Sequence, residues 1–597
     1  MVHVFKTRLL LIVVLILFVS ESVMAQLDII KDDWPMFADP PMIDEVLNPE
    51  ISDQLIPAWI QALSADEQEL RLVAAKTIGR AADLNVSALD LTVEPLIAVV
   101  SNAKNRPLVR HTAAMALVEL DAASAGESLL AVVKDGDFNL SVIVEPALIR
   151  WKTPGALEMW RTRFEANESP TLVRLAIQGL GALGTVDDHQ SLIAFAVDTT
   201  NNAVLRITAA QSLISTLKQP ELDHAERLAA SQSPVDHLVA AFLSSPKPQN
   251  ADGSRSLAVI TDLMSGSDAT VYAVCLEGLG HWNPQAILDF GERISRHETA
   301  RVRTTYVDAL NQLIDVDRVS ELATFTNDRH PGIRVKVRQW LLEASEVESL
   351  LPEVLNFIQS ALVSDQWRSQ EQAMHIAVEL DQKQFAVDVV SLLQSERNEV
   401  IATSGWALRR LAVEETLAPA LKYCESLSPA FEGERLPYDL MFSLNEQFAH
   451  LFQMFGQMKY RDSIKVLHRF IRKNQLIRFR VRAAATWAAG LIFEGDLAGD
   501  PKLEKALLDR LNDDAPMPPE DDLVKRMAAI SLARIGSTGE FTISSLWKYY
   551  HRTKPFGPLR DGTEYALHRL IGEEFPTPDP KTYTSGPWLI EPYVPKK

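Results

Sequence analysis

Small and aliphatic residues recur along this chain in one phrase. In RPLVRHTAAMALVEL (residues 106–120) a proline stands three positions before Arg110. Ala113 and Ala114 follow three and four later, and Leu117 seven later. Apolar positions at +3, +4, +7 and +8 form one stripe of an α-helix. The phrase returns at Arg71, Arg206, Arg303, Arg334, Arg482 and Lys525, and with the basic residue displaced near Val173, Tyr272 and Ile401. Ser141, Asp236 and Trp367 mark degenerate copies. From 110 to 401 the steps are 31, 32, 33, 30, 36, 31, 31, 33 and 34 residues, a period that marks a repeat architecture. Pro107, Pro170 and Pro331 fit a first helical turn, and Asn105, Asn201 and Glu298 fall in the preceding turn or cap. A second apolar helical segment lies between anchors, so each unit is a helix, a turn and a helix. One such pair cannot bury its apolar faces, whereas a stack can.

This pattern of a basic residue, two small residues and a leucine is similar to HEAT repeats of the short variety, about 30 residues long, over residues 55–550. ALHRLIGEEF (residues 566–575) resembles the closing segment of some secreted bacterial HEAT proteins. The resemblance implies an all-α fold, an α-solenoid of stacked helix pairs used as a binding scaffold, with its second helices lining the concave face.

The sequence predicts a signal peptide over 1–25 and an extended lead-in or N-terminal cap over 26–54, and the period a solenoid over 55–430. An aromatic and Met-rich irregular helical insertion follows over 431–459, then further repeats over 460–550 and a Pro-rich tail over 551–597. Lys6 and Arg8 precede an eleven-residue apolar run, 9–19, and Val23-Met24-Ala25 ends it. Such a run is shorter than the ~20 residues that span a bilayer, so a secretory signal cleaved near Ala25 is expected, with a retained anchor as the alternative. The mature chain is then periplasmic or secreted, without a transmembrane segment.

A net charge of -20 argues against nucleic acid as a partner. Two cysteines, Cys275 and Cys424, lie more than four repeats apart, too far for a bridge in an extended stack. Enzyme signatures fail. SLWK (residues 545–548) lacks the motifs that accompany a catalytic SxxK. DGDFNLS (residues 135–141) begins like a calcium loop but has leucine and proline where glycine and a bidentate acid are needed. The sequence predicts no cofactor, no metal ligand and no catalytic residue, and gives bilin-lyase-like chemistry no support beyond the repeat itself.

The surface remains. Positions +2, +5 and +9 of each second helix face away from the core stripe: Thr112, Met115 and Glu119 early, then Lys336 and Gln339, then Trp406, Arg410 and Trp487. Tryptophan beside arginine either marks a binding surface or fills gaps between repeats. Residues 459–482 hold nine Lys or Arg and one acid. Lys465, Arg469, Arg472, Lys473, Arg478 and Arg480 therefore form either a site for an acidic protein or anionic polymer, or a run neutralised by Glu432, Glu434, Glu494, Asp496 and the 512–522 loop. The function expected is protein–protein binding on the concave face. The alternative is an enzyme or metal-dependent site assembled in the same groove.

Overall fold

The computed structural model describes residues 33–41 and 55–575, except 83–85, 87, 135, 167–168, 249–252, 267, 434–435, 516–517 and 554–556. The signal segment, the rest of the lead-in and residues 576–597 lie outside them. Every regular element among the described residues is an α- or 3-10 helix. No described helix is long and apolar enough to cross a membrane. The described residues divide into two compact units: an N-terminal one, 55–309, and a C-terminal one that joins 33–41 to 310–575. Each is a stack of helix pairs, the solenoid expected from the period.

The recurring phrase has a structural cause in the turns. Asn105 donates to Val99 O (2.8 Å) and Arg110 Nε to Val100 O (2.9 Å), satisfying carbonyls at the end of helix Val93–Ser101. Asn201 and Arg206 do the same to Phe195 O and Ala196 O, at 3.0 and 2.8 Å. One repeat on, the buried Arg206 pairs with Asp236, which occupies the anchor position of its own repeat, at 2.7 Å. Asn and Arg at fixed offsets thus close these two helix pairs, and Arg206 ties its pair to the next. Asp137, from the calcium-like stretch, caps helix Phe138–Arg150 by accepting from Asn139 N and Leu140 N.

In the C-terminal unit helix Pro331–Ser345 is followed by the inner helices α1 (Trp367–Glu379), α2 (Asn398–Leu411), α3 (Tyr438–Gln457), α4 (Phe479–Ile492), α5 (Asp522–Ile535) and α6 (Pro558–Ile571). Outer helices, among them Leu417–Leu427, Ile464–Ile471 and Leu503–Leu511, alternate with them. Neighbouring inner helices from α2 to α6 touch along their length and the outer ones less, which curves the unit with the inner row on its concave side. Glycine permits the close approach. A Cβ on Gly405 of α2 would lie 2.8 Å from Gln447 O of α3, and one on Gly456 of α3 would lie 2.7 Å from Ala488 Cα of α4. Backbone cannot move aside as a side chain can. Gly456→Val should therefore cost about 1–3 kcal/mol by overpacking, read as a lower urea midpoint; an unchanged midpoint would mean that the helices separate freely.

The aromatic stretch at 431–459, expected to be irregular, contains the regular 20-residue helix α3. Its apolar side builds core: Phe448 and Phe452 pack on Phe470 at centroid distances of 5.3 and 5.0 Å, and Phe431 joins them. Cys275 and Cys424 are free and buried, and burial pushes the Cys275 thiol up to about 12.

The acidic 512–522 loop is tied in through Asp514, which bonds Lys525 (2.6 Å), Lys548 (3.0 Å), Tyr549 (2.8 Å) and Arg552 (2.9 Å). Burial opposes its ionisation, but these donors outweigh that and hold the carboxyl well below the usual carboxylate range. A carboxyl depressed in the folded state stabilises fully above its unfolded value, about pH 4, and loses that contribution as pH falls towards the folded value. The urea-midpoint gap between the parent and Asp514→Asn should narrow steadily as pH falls from about 5 to about 2. A gap constant over that range would show that Asp514 contributes nothing through its charge.

Candidate functional site

Polar residues on the concave faces of α2 to α5 converge on residues 33–40 of the lead-in. Of the lead-in or cap expected over 26–54, the described residues 33–41 lie across these helices. Residues 35–38 (Pro35–Ala38) form a 3-10 turn between extended flanks, as proline at its start favours. Trp34 and Met36 are buried, Met36 completely.

Two aspartates bracket the turn, and each meets a tryptophan and an arginine. Trp406 Nε1 of α2 donates to Asp33 Oδ2 at 2.8 Å, and Arg409 approaches the same oxygen at 2.7 Å while also donating to Asp33 O at 3.0 Å. Trp487 Nε1 of α4 donates to Asp39 Oδ2 at 2.9 Å, and Arg534 of α5 pairs with Asp39 Oδ1 at 2.6 Å. Between these clamps the main chain itself is held. Met36 N donates to Gln453 Oε1 of α3 at 3.2 Å, and buried Arg526 of α5 donates to Met36 O (3.2 Å) and Pro40 O (2.9 Å).

The middle of the seat is aromatic. Trp34 stacks on His450 of α3, with centroids 4.2 Å apart and planes 9° apart, and Arg480 of α4 lies 5.5 Å from the Trp34 ring. Burial, with Arg409 and Arg480 nearby, pushes the His450 pKa well below its ordinary value, so the ring is neutral at pH 7 and accepts from Arg409 Nε at 3.3 Å. Burial likewise lowers the pKa values of Arg409 and Arg526, while Asp33 and Asp561 act to raise them. Each arginine is matched by a carboxylate, which offsets the cost of burying its charge.

Of the residues singled out in the sequence, Trp406, Arg410, Trp487 and Arg480 meet in this groove, with Arg410 3.7 Å from Asp33. Both tryptophans are buried, and their N–H groups point into the groove towards the lead-in. The rest of the basic run lies elsewhere. Lys465 and Arg469 are exposed on the outer helix Ile464–Ile471, and Arg472 is exposed at its end. Lys473 pairs with Asp513 at 3.1 Å, and Arg478 sits over the Phe442 ring at 4.6 Å. Lys459 and Arg461 pair with Glu494 and Asp496, and Arg482 with Glu520. The run does not form one patch. Its members divide between groove, outer row and internal pairs because successive residues point to different faces.

Sequence reasoning missed Asp33, Asp39, Arg409, His450, Gln453, Arg526 and Arg534. One signal was available: Glu446, His450 and Gln453 stand at i, i+4 and i+7 of α3, a polar stripe opposite its phenylalanines. Among the described residues no group of three or more His, Cys, Asp or Glu is arranged to hold a metal ion.

No protein-family model matches the chain, and no curated protein does. Among solved structures it is similar to Kap95p, from a study of Kap95p binding to RanGDP, at 13% identity over 86% of this chain and 72% of that one, with a TM-score of 0.49. Importin beta shares 13% identity over 86% and 72% at 0.40, and Kap121p bound to Ste12p shares 14% over 88% and 57% at 0.44. The chain thus spans a little over half the length of Kap121p. At these values the likeness carries nothing beyond the fold, an all-α solenoid that the helix stacking already defines.

Proposed function

We propose that this chain is an extracytoplasmic, non-catalytic scaffold that binds polypeptide along the concave face of its C-terminal unit. The observation that carries this reading is main-chain recognition. Gln453 takes an N–H and Arg526 two carbonyls of a segment that crosses four helices, while Trp–Arg pairs hold its carboxylates. A face with these donors can receive any polypeptide of matching shape and charge, which is the work of a binding groove. The export signal read at residues 1–25 supports the compartment.

The test is a labelled peptide of residues 31–41, KDDWPMFADPP, offered to the full chain carrying Trp34→Ala and Asp39→Ala. Saturable binding is expected, weakening as salt rises because the contacts include partly exposed ion pairs. Adding Arg534→Ala should weaken it by roughly 10-fold or more, the scale of one charged hydrogen bond. A peptide that fails to bind a chain of intact helicity would sink the reading.

A further inference from the structure

The occupant of the groove belongs to the same chain, and its chemistry describes what else would fit. We propose that residues 33–40 are a resident competitor, and that the groove's partner is an extended acidic segment of another protein bearing the same pattern. That pattern is two carboxylates six residues apart, an aromatic residue after the first, and an apolar residue between them. The inference rests on the binding function proposed above and adds the identity class of the ligand and its control.

Three observations carry it. The groove turns three arginines, Arg409, Arg410 and Arg534, on the segment's two acids, while Arg526 and Arg480 face Asp561 and Glu446 of the groove itself. In a chain of net charge -20 this concentration of cations on one face selects an acidic guest. The two carboxylates are met by equivalent chemistry, an indole N–H and a guanidinium, on separate helices, so the spacing between them is itself recognised. Finally, the seat is polar where an ordinary helix–helix contact would be apolar: Arg409, Glu446, His450, Gln453, Arg526 and Arg534 are all buried. Without the segment their polar groups would meet water or a second peptide, while the apolar surface that now buries Trp34 and Met36 would be covered only by a guest with its own aromatic and apolar residues. Being tethered, residues 33–40 act at an effective concentration in the millimolar range, so a guest arriving from solution must outcompete them.

The experiment compares the KDDWPMFADPP peptide on the parent chain and on the full chain carrying Trp34→Ala and Asp39→Ala. The parent should bind roughly 100-fold more weakly, because its own segment holds the seat. Peptides with both acids changed to asparagine, or with one residue deleted between them, should bind the double variant at least about 10-fold more weakly than the unaltered peptide. Equal affinity for parent and variant overturns the competitor, and indifference to the altered peptides overturns the pattern, while the binding function survives both. Binding to neither chain removes the binding function and this inference with it. Should the double variant lose helicity, the parent answers alone: saturating peptide must speed hydrogen exchange at Met36 N–H, and an unchanged rate overturns the proposal.

Discussion

Leu117→Asp should cost the N-terminal unit about 3–5 kcal/mol, near the upper end for a single substitution. Leu117 lies seven residues after Arg110 on helix Pro107–Glu119 and is fully buried. Helices Gln68–Ala82, Val93–Ser101 and Phe138–Arg150 pack around this helix. The basic group of its own repeat, Arg110, is turned to Val100 O. An aspartate there loses the burial of an isobutyl group and must protonate or drag water into the stack. Chemical denaturation should show a lower midpoint for the variant. A transition that coincides with the parent's would place Leu117 on a solvent face and break the register of every repeat aligned to it.

Arg526→Glu should have an effect of similar size in the C-terminal unit. The Arg526 side chain is 1% exposed and holds Asp561 (3.2 Å) along with Met36 O and Pro40 O. Burial already pushes the Asp561 carboxyl up against the pull of Arg526. Charge reversal would set two carboxylates together and strip both carbonyls of their donor, a loss of about 3–5 kcal/mol for breaking a buried pair. Arg526→Met keeps much of the volume and adds no charge, so it should cost less. Thermal unfolding ranks the two. Limited proteolysis should cut within residues 33–41 in the glutamate variant before the helices yield, and equal protection in parent and variant would show that Arg526 does not hold the segment.

Local rules were legible in the sequence and long-range ones were not. The anchors at Arg110 and Arg206, their asparagines five residues earlier and their leucine or small residues later act within one helix pair, and the period exposed them. The seat of residues 33–40 joins positions 373 to 490 residues apart, which leaves no periodic trace. For much of the basic run the alternative of internal neutralisation holds, through Glu494, Asp496 and the 512–522 loop. Lys459 and Arg461 look like parts of one basic run, yet each finds its acid 35 residues on, about one repeat away. The aromatic density of α3 was read as irregularity because two demands meet on one helix, a phenylalanine core behind and a polar stripe in front.

The glycine contacts at Gly405 and Gly456 give the inner row a fixed pitch, and a fixed pitch makes the stack a measuring device. Packed helices sit about 8–10 Å apart, so the two steps from α2 to α4 cover roughly 16–20 Å. Six residues, partly extended and partly 3-10, cover about 15–20 Å. Each helix pair therefore meters about three residues of whatever lies across it. Repeat chains grow by whole pairs, so duplicating one between α2 and α4 would not blur recognition but move it, to a guest whose acids stand about three residues further apart.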